Sequence, residues 1–284
     1  MKNIRIFHTT EYSFSEPVQL EDHTILLRPR EGHDIRIQSS RLEVSPGYSV
    51  KWYRDIYGNS VGILHFPEPS NCVRIESEVI IENYATQPLD FIVDERVVTF
   101  PFTFEPGERL DLLPYRTHSW PSDTSRLKDW VSRFWAPGQS VETYAMLDQM
   151  NKAIVADFGY KMREEPGVQT PAETLSLGSG SCRDFATLFI EACRYLGLPS
   201  RFVSGYLHNP GSSQHGSTHA WSEVYLNGAG WIGFDNTSGL ITGVDHIATA
   251  VHRHPESVPP VTGSYSSSSE VTSSLAVNVD VSEV

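Results

Sequence analysis

Cys182, His219 and Asp235 are the residues whose types and order could carry covalent chemistry in this chain. Cys182 sits in the run GSGSCRDFATLFIEACRYLG, where Cys182, Phe185, Phe189, Ala192 and Leu196 recur at steps of three or four. That spacing predicts a largely buried helix beginning at the cysteine, with Gly197 and Pro199 as its stop. The first turn of a helix has N–H groups without partners and the positive end of the dipole, and both favour a thiolate. Gly178 and Gly180 allow a tight turn and leave room for a carbonyl to approach the sulfur. The plain alternative is a cysteine that fills a small core site. Cys193 faces a similar side in mid-helix, about 16 Å away at a rise of about 1.5 Å per residue. That is too far for a disulfide, and Cys193 and Cys72 are expected to be packing residues.

A thiol nucleophile needs a base. Arg201–Leu207 is expected to be a strand, followed by the polar loop HNPGSSQHGST. The next run, HAWSEVYL, puts His219, Trp221, Glu223 and Tyr225 on one side, and Asn227-Gly228 turns the chain into GWIGFDNTSG. This has the signature of an antiparallel hairpin, with His219 near one rim and Asp235 at the end of the returning strand. The imidazole could take the Cys182 proton or pair with the thiolate, while Asp235 fixes its tautomer. His208 and His215, around the polar loop, are rival bases. Asp184, two positions after the cysteine, is better placed to cap the helix or hold a loop than to react. Glu223 suits an ion pair, and Trp221 a cleft wall or core packing. Cys182, His219 and Asp235 also contain metal-ligand atoms, but no HExxH or paired-cysteine motif accompanies them, and GSGSC lacks the Lys-Ser/Thr ending of a phosphate loop. No metal and no cofactor are expected.

Four regions would position these residues. The first, 1–110, shows alternating runs: Ile4, Ile6 and His8, and Val73, Ile75, Ser77 and Val79. Further strands are expected near His23–Arg30, Ile35–Val44, Tyr48–Arg54 and Val61–Phe66, with turns at Pro46-Gly47 and Gly58-Asn59. Such short, punctuated strands suggest an antiparallel sandwich or barrel. The second region, 111–140, is a helical connector in which Leu127, Trp130, Val131 and Phe134 follow helical spacing after a candidate N-cap at Ser125. The third, 141–255, opens with a helix over Val141–Phe158 and contains the reactive residues. The fourth, 256–284, is Ser-rich, with a returning strand suggested by Leu275, Val277 and Val279.

The chain has 22 Lys and Arg against 35 Asp and Glu, a formal charge of −13, and no dense basic cluster. A grip on a phosphate backbone needs concentrated positive charge, so nucleic acid is not expected as a partner. No run reaches the roughly 20 apolar residues of a membrane span, or the roughly 7–15 of a signal peptide. No membrane association and a cytoplasmic location are expected. Three cysteines without a CxxC argue against a disulfide scaffold or a zinc finger.

The segments GSGSCRDFATLFIEACRYLGLPSRFVSGYL, HAWSEVYL and GWIGFDNTSG resemble the bacterial transglutaminase-like, or papain-like cysteine peptidase, family. YSFSEPVQLEDHTILLRPR and DIYGN resemble the β-rich domain often joined to its core. The resemblance maps the family's nucleophile, histidine and aspartate onto Cys182, His219 and Asp235, and gives Tyr160 a weak auxiliary role. It implies an α+β chain: a β-rich N-terminal sandwich or barrel, then a papain-like transglutaminase core with a helix packed on an antiparallel sheet. The implied activity is cysteine-dependent cleavage or acyl transfer at a peptide, a protein side-chain amide or a small amide, with water or an amine as acceptor. Asn236-Thr237 departs from the Pro-Thr pair common in the family, which changes loop rigidity without removing a reacting group.

Overall fold

The computed structural model describes residues 1–84, 89–163, 165–209 and 216–284. The chain opens on β1 (Lys2–Leu20), whose alternation buries Ile4, Ile6, His8 and Thr10. The next strands are β2 (His23–Ile25), β3 (Ile35–Ser45), β4 (Ser49–Arg54), β5 (Ser60–His65) and β6 (Ser70–Asn83). β1 pairs antiparallel with β6, Ile6 opposite Val79, and β6 pairs with β3. β2, β5 and β4 form a second sheet, with Val261–Thr262 beside β2. The two sheets share a core of Phe14, Val18, Ile25, Leu64, Phe66, Val73 and Ile75, which makes this region a sandwich. The strand expected over His23–Arg30 is only three residues long. Leu26 N–H bonds instead to Pro260 O at 2.8 Å, and Pro29 has no N–H to offer a ladder.

After three short helical segments over Glu95–Val98, Pro106–Asp111 and Leu113–Arg116, four longer helices follow among the described residues. The first, α1 (Thr124–Val131), buries Leu127, Trp130 and Val131 as its spacing requires. It grows out of a 3₁₀ turn at Pro121–Asp123, so Ser125 lies inside the first turn and is not the N-cap. In α2 (Thr143–Asp157), the Glu142 side chain caps the start and Met146, Leu147, Met150 and Ile154 are buried. The sequence reading did not include α3 (Pro171–Leu177). Its signals are a Thr170/Glu173 capping box, Pro171 at the first position, and Gly178 in the left-handed region at φ 63°. The last helix, α4 (Cys182–Tyr195), begins at the cysteine.

The helices lie against one five-stranded antiparallel sheet. Its strands β7 (Ser200–His208), β8 (Gly216–Leu226), β9 (Gly230–Asp235) and β10 (His246–His252) are arranged β9-β8-β7-β10, with Leu240–Ile241 on the β9 edge. Phe185, Leu188, Phe189 and Ala192 of α4 pack against Val224, Leu226, Ile232 and Phe234. Ala186 and Ile190 meet Phe202, Ala220 and Ala250, together with Leu26 and Val61 from the sandwich region. Truncating Phe185 or Phe189 to Ala in such a setting costs about 3–5 kcal/mol. This packing fixes the helix that presents Cys182.

The C-terminal alternation belongs to β11 (Ser273–Glu283), which pairs along β1 with Val281 opposite Ile6. Leu275 and Val277 stay exposed, while Val281 is buried beside Ile4, Ile6 and Tyr206. A Cβ on Gly216 would come within 2.4 Å of Val281, so the start of β8 reaches β11 only as glycine.

Candidate active site

The start of α4 is built to hold one geometry. Ser181 donates through both its amide and its hydroxyl to Asp184 Oδ2, at 2.8 and 2.7 Å. The other oxygen, Oδ1, accepts from Arg163 Nη1 at 2.8 Å and Gln169 N–H at 2.7 Å. Burial opposes the charge on Asp184, but these donors outweigh it and hold the carboxyl below its ordinary value. A Cβ at Gly180 would meet the Asp184 Cβ at 2.9 Å, which explains the glycine just before the turn. Asp184 therefore clamps the loop ahead of Cys182. The thiol itself is partly exposed.

His219 and Asp235 meet through the hairpin. With Ser222 paired to Phe234, the two residues are diagonal neighbours across β8 and β9. His219 Nε2 donates to Asp235 Oδ1 at 3.0 Å. Burial works against the imidazolium, but hydrogen bonds to Asp235 and to the Cys182 sulfur overcome it and raise His219 to about 10. With Nε2 committed to Asp235, Nδ1 is the ring nitrogen left for the sulfur. Burial likewise opposes ionisation of Asp235; hydrogen bonds from His219 and His246 and the Thr237 amide hold it well below the usual carboxylate range.

Tyr160 lies beside this group. The short parallel pairing of Gly159–Tyr160 with Ser179–Gly180 sets it next to the loop before Cys182. Burial, and then the negative charges of Cys182, Asp184 and Asp235, raise its hydroxyl above the usual value.

Comparison with known proteins agrees with this architecture. Residues 130–236 match the transglutaminase-like superfamily core, and residues 4–82 match the bacterial transglutaminase-like N-terminal region. Residues 130–236 are thus transglutaminase-like, behind an N-terminal region of the bacterial transglutaminase-like type. An "Uncharacterized protein" of Mycobacterium tuberculosis is 28% identical over 299 residues, covering 98% of this chain and 91% of its own. One from Mycobacterium leprae is 26% identical over 278 residues, covering 94% of each chain. The solved structure of a "Putative Cysteine Protease from Cytophaga hutchinsonii" superposes with a TM-score of 0.74. It covers all of this chain and 91% of that one at 18% identity, a likeness of fold.

Within the transglutaminase-like core, the other candidate residues separate. Trp221 is buried with its ring 6.2 Å from that of His219. Glu223 lies two residues farther along β8 and pairs with Arg201 Nε at 2.6 Å, and the Arg201 guanidinium stacks over Trp231 at 4.1 Å. His208 is buried and bonds Asp245 at 2.9 Å, away from the sulfur. His215 lies outside the described residues. Asn236, in place of the family's proline, is buried between Ser222 Oγ at 2.9 Å and Asn151 Oδ1 at 2.8 Å. Those bonds tie the segment after Asp235 to β8 and α2.

The sequence reading did not single out His246, whose Nε2 donates to Asp235 Oδ2 at 3.2 Å. It opens a strand after an irregular stretch, and no local pattern marks it. Its strand mate across the fold, Leu207, is separated from Asp235 in the sheet by β8.

His219, Asp235 and His246 each offer a ligand atom within 4.8 Å of the others. Their hydrogen bonds argue against a metal. Gly243 N–H donates to His246 Nδ1 at 3.3 Å, so the neutral ring carries its proton on Nε2, the atom a metal would need bare. Among the described residues, no helix is long and apolar enough to cross a membrane.

A cleft of about 780 Å³ lies on the sheet face that α4 does not cover. Arg30 and Tyr84 line it from the sandwich side, and Arg201, Trp221, Trp231 and His246 line it from the core. Cys182 is not among its walls.

Proposed function

We propose that this protein cleaves peptide or other amide bonds through a thioester on Cys182. The observation that carries the reading is His219, held by Asp235 on one nitrogen and facing the partly exposed Cys182 sulfur on the other side. The thiolate attacks the carbonyl carbon, and the Cys182 amide N–H at the first position of α4 is the candidate donor to the oxyanion. The His219 imidazolium gives its proton to the leaving nitrogen, the C–N bond breaks, and the acyl group stays on sulfur. Water then attacks the thioester as His219 takes its proton, and collapse releases the acid and restores the thiolate–imidazolium pair. Asp235 keeps its negative charge throughout and holds the ring. Tyr160, next to Gly180, borders the approach to the sulfur as an auxiliary group.

The match to a superfamily whose members usually act as catalysts supports an enzyme. Peptide or protein substrates fit that match, and a reducing cytoplasm would keep Cys182 a thiol. An amine could replace water in the second step and give a protein-glutamine transglutaminase, since both outcomes share the first half-reaction. Hydrolysis is preferred because no sequence feature marks a dedicated amine site. A noncatalytic peptide-binding or assembly protein on this fold is the competing class.

Incubation of the full chain with a mixed peptide pool, followed by intact-mass and fragment mapping, should capture an acyl group on Cys182. Release by water faster than by added amines is the expected outcome. A Cys182 that acquires no acyl group and alkylates no faster than a free thiol would refute the enzyme.

A further inference from the structure

Both oxygens of Asp235 are engaged, by different histidines. Oδ1 accepts from His219 Nε2 at 3.0 Å and from Thr237 N–H at 2.9 Å, and Oδ2 accepts from His246 Nε2 at 3.2 Å. The His246 ring is itself held. Gly243 N–H reaches its Nδ1 at 3.3 Å, and Trp221 meets it nearly perpendicularly with centroids 5.4 Å apart. A ring whose Nδ1 accepts must, when neutral, carry its proton on Nε2. The Gly243 amide thus sets the tautomer that donates to Asp235. The same indole lies 6.2 Å from His219, so one buried tryptophan braces both imidazoles.

We propose that His246 is a positioning residue for the reaction. By donating to Oδ2 it stops the Asp235 carboxylate from turning about its Cβ–Cγ bond and keeps Oδ1 aimed at His219. Asp235 is 2% exposed, so without this donor Oδ2 would be a buried acceptor that solvent cannot readily satisfy. Turning to find another donor would pull Oδ1 off the catalytic ring. His246 works from the cleft side of the sheet, away from the sulfur, and acts only through the carboxylate. The inference deepens the Cys182–His219–Asp235 reading and rests on it.

The test is the pH profile of Cys182 alkylation by iodoacetamide in the full chain, recorded beside the thermal midpoint. Loss of one charge-assisted hydrogen bond should make His246→Leu about ten-fold slower near neutral pH. In His246→Gln an amide N–H can still reach Oδ2, and the rate should stay within about three-fold of the original. A purely structural role would lower the midpoint and leave the profile of the folded protein in place. A profile that His219→Ala changes and His246→Leu does not would overturn the proposal alone. A profile that His219→Ala leaves untouched would remove the triad reading and the proposal with it. Should the leucine variant not fold, ring ¹⁵N shifts of the unmodified protein decide. A proton on His246 Nε2 with Nδ1 bare is expected, and the opposite tautomer overturns the inference.

Discussion

The two ends of α4 carry the same kinds of residue and do opposite things with them. At the N-terminal end, Cys182 lies with His219 and Asp235. At the C-terminal end, Cys193 lies near Glu191, Arg194 and His118. There Glu191 accepts from Arg194 Nη1 at 2.6 Å, Ser119 N–H at 3.1 Å and His118 Nδ1 at 2.7 Å. Arg194 spends its remaining donors on Tyr115 O, Ser119 Oγ, Ser200 O and Arg253 O. Cys193 is wholly buried, and burial pushes its thiol far up. The polar atoms of that ion pair tie the 111–140 segment, β7 and the Arg253 backbone to the helix. The N-terminal cluster differs in one respect: its sulfur, paired with His219, belongs to a partly exposed residue.

The sharpest way to break this contrast is to exchange the cysteines for alanine. Cys182→Ala should lower amide turnover by at least about 10⁴-fold and abolish selective thiol labelling at neutral pH. Cys193→Ala should leave both unchanged while costing about 1 kcal/mol in denaturant titrations. Labelling that survives at Cys193 alone would reverse the assignment. Next in size is Glu191→Ala, which strands a buried guanidinium. A loss of about 3–5 kcal/mol of stability is expected, with the alkylation rate of the remaining folded protein unaltered; a selective loss of reactivity would mean that the two ends are coupled.

The smallest effect is titration. His219 is raised from 6.5 to about 10, so its stabilising contribution is complete below about pH 6.5 and is lost as the pH rises through about 10. Unfolding free energies should fall across that window. His219→Asn should flatten the decline, whereas a variant confined to the Glu191 end should keep it.

Much of this arrangement was legible in the chain because it depends on short-range patterns. The alternation of Ile4, Ile6 and His8, the helical steps from Cys182 to Ala192, and the Asn227-Gly228 turn each obey one local rule, and the α+β architecture follows from them. Hairpin geometry then carries His219 toward Asp235 without any long-range knowledge. Tertiary context overrode the rest. His23–Ile25 stops short because its backbone finds Pro260, and α1 starts before Ser125 because a 3₁₀ turn feeds it. The Thr170–Glu173 box and Gly178 announced α3 in the local sequence and went unread. His246 is of another kind. Its bond to Asp235 depends on β10 returning beside β7, a pairing that no spacing near His246 encodes.

The pairing of β11 with β1 has a temporal side. Domains form in the order their parts emerge during synthesis, and β1 gains its β6 neighbour early. Its other edge stays open until Ser273–Glu283 has been made. Val281 is also the residue pressed against Gly216, three positions before His219 on β8. The first residue of the strand that carries His219 thus meets its Val281 neighbour only after the distant Ser273–Glu283 segment has been made, so the two ends of the chain must both be present before that packing is complete.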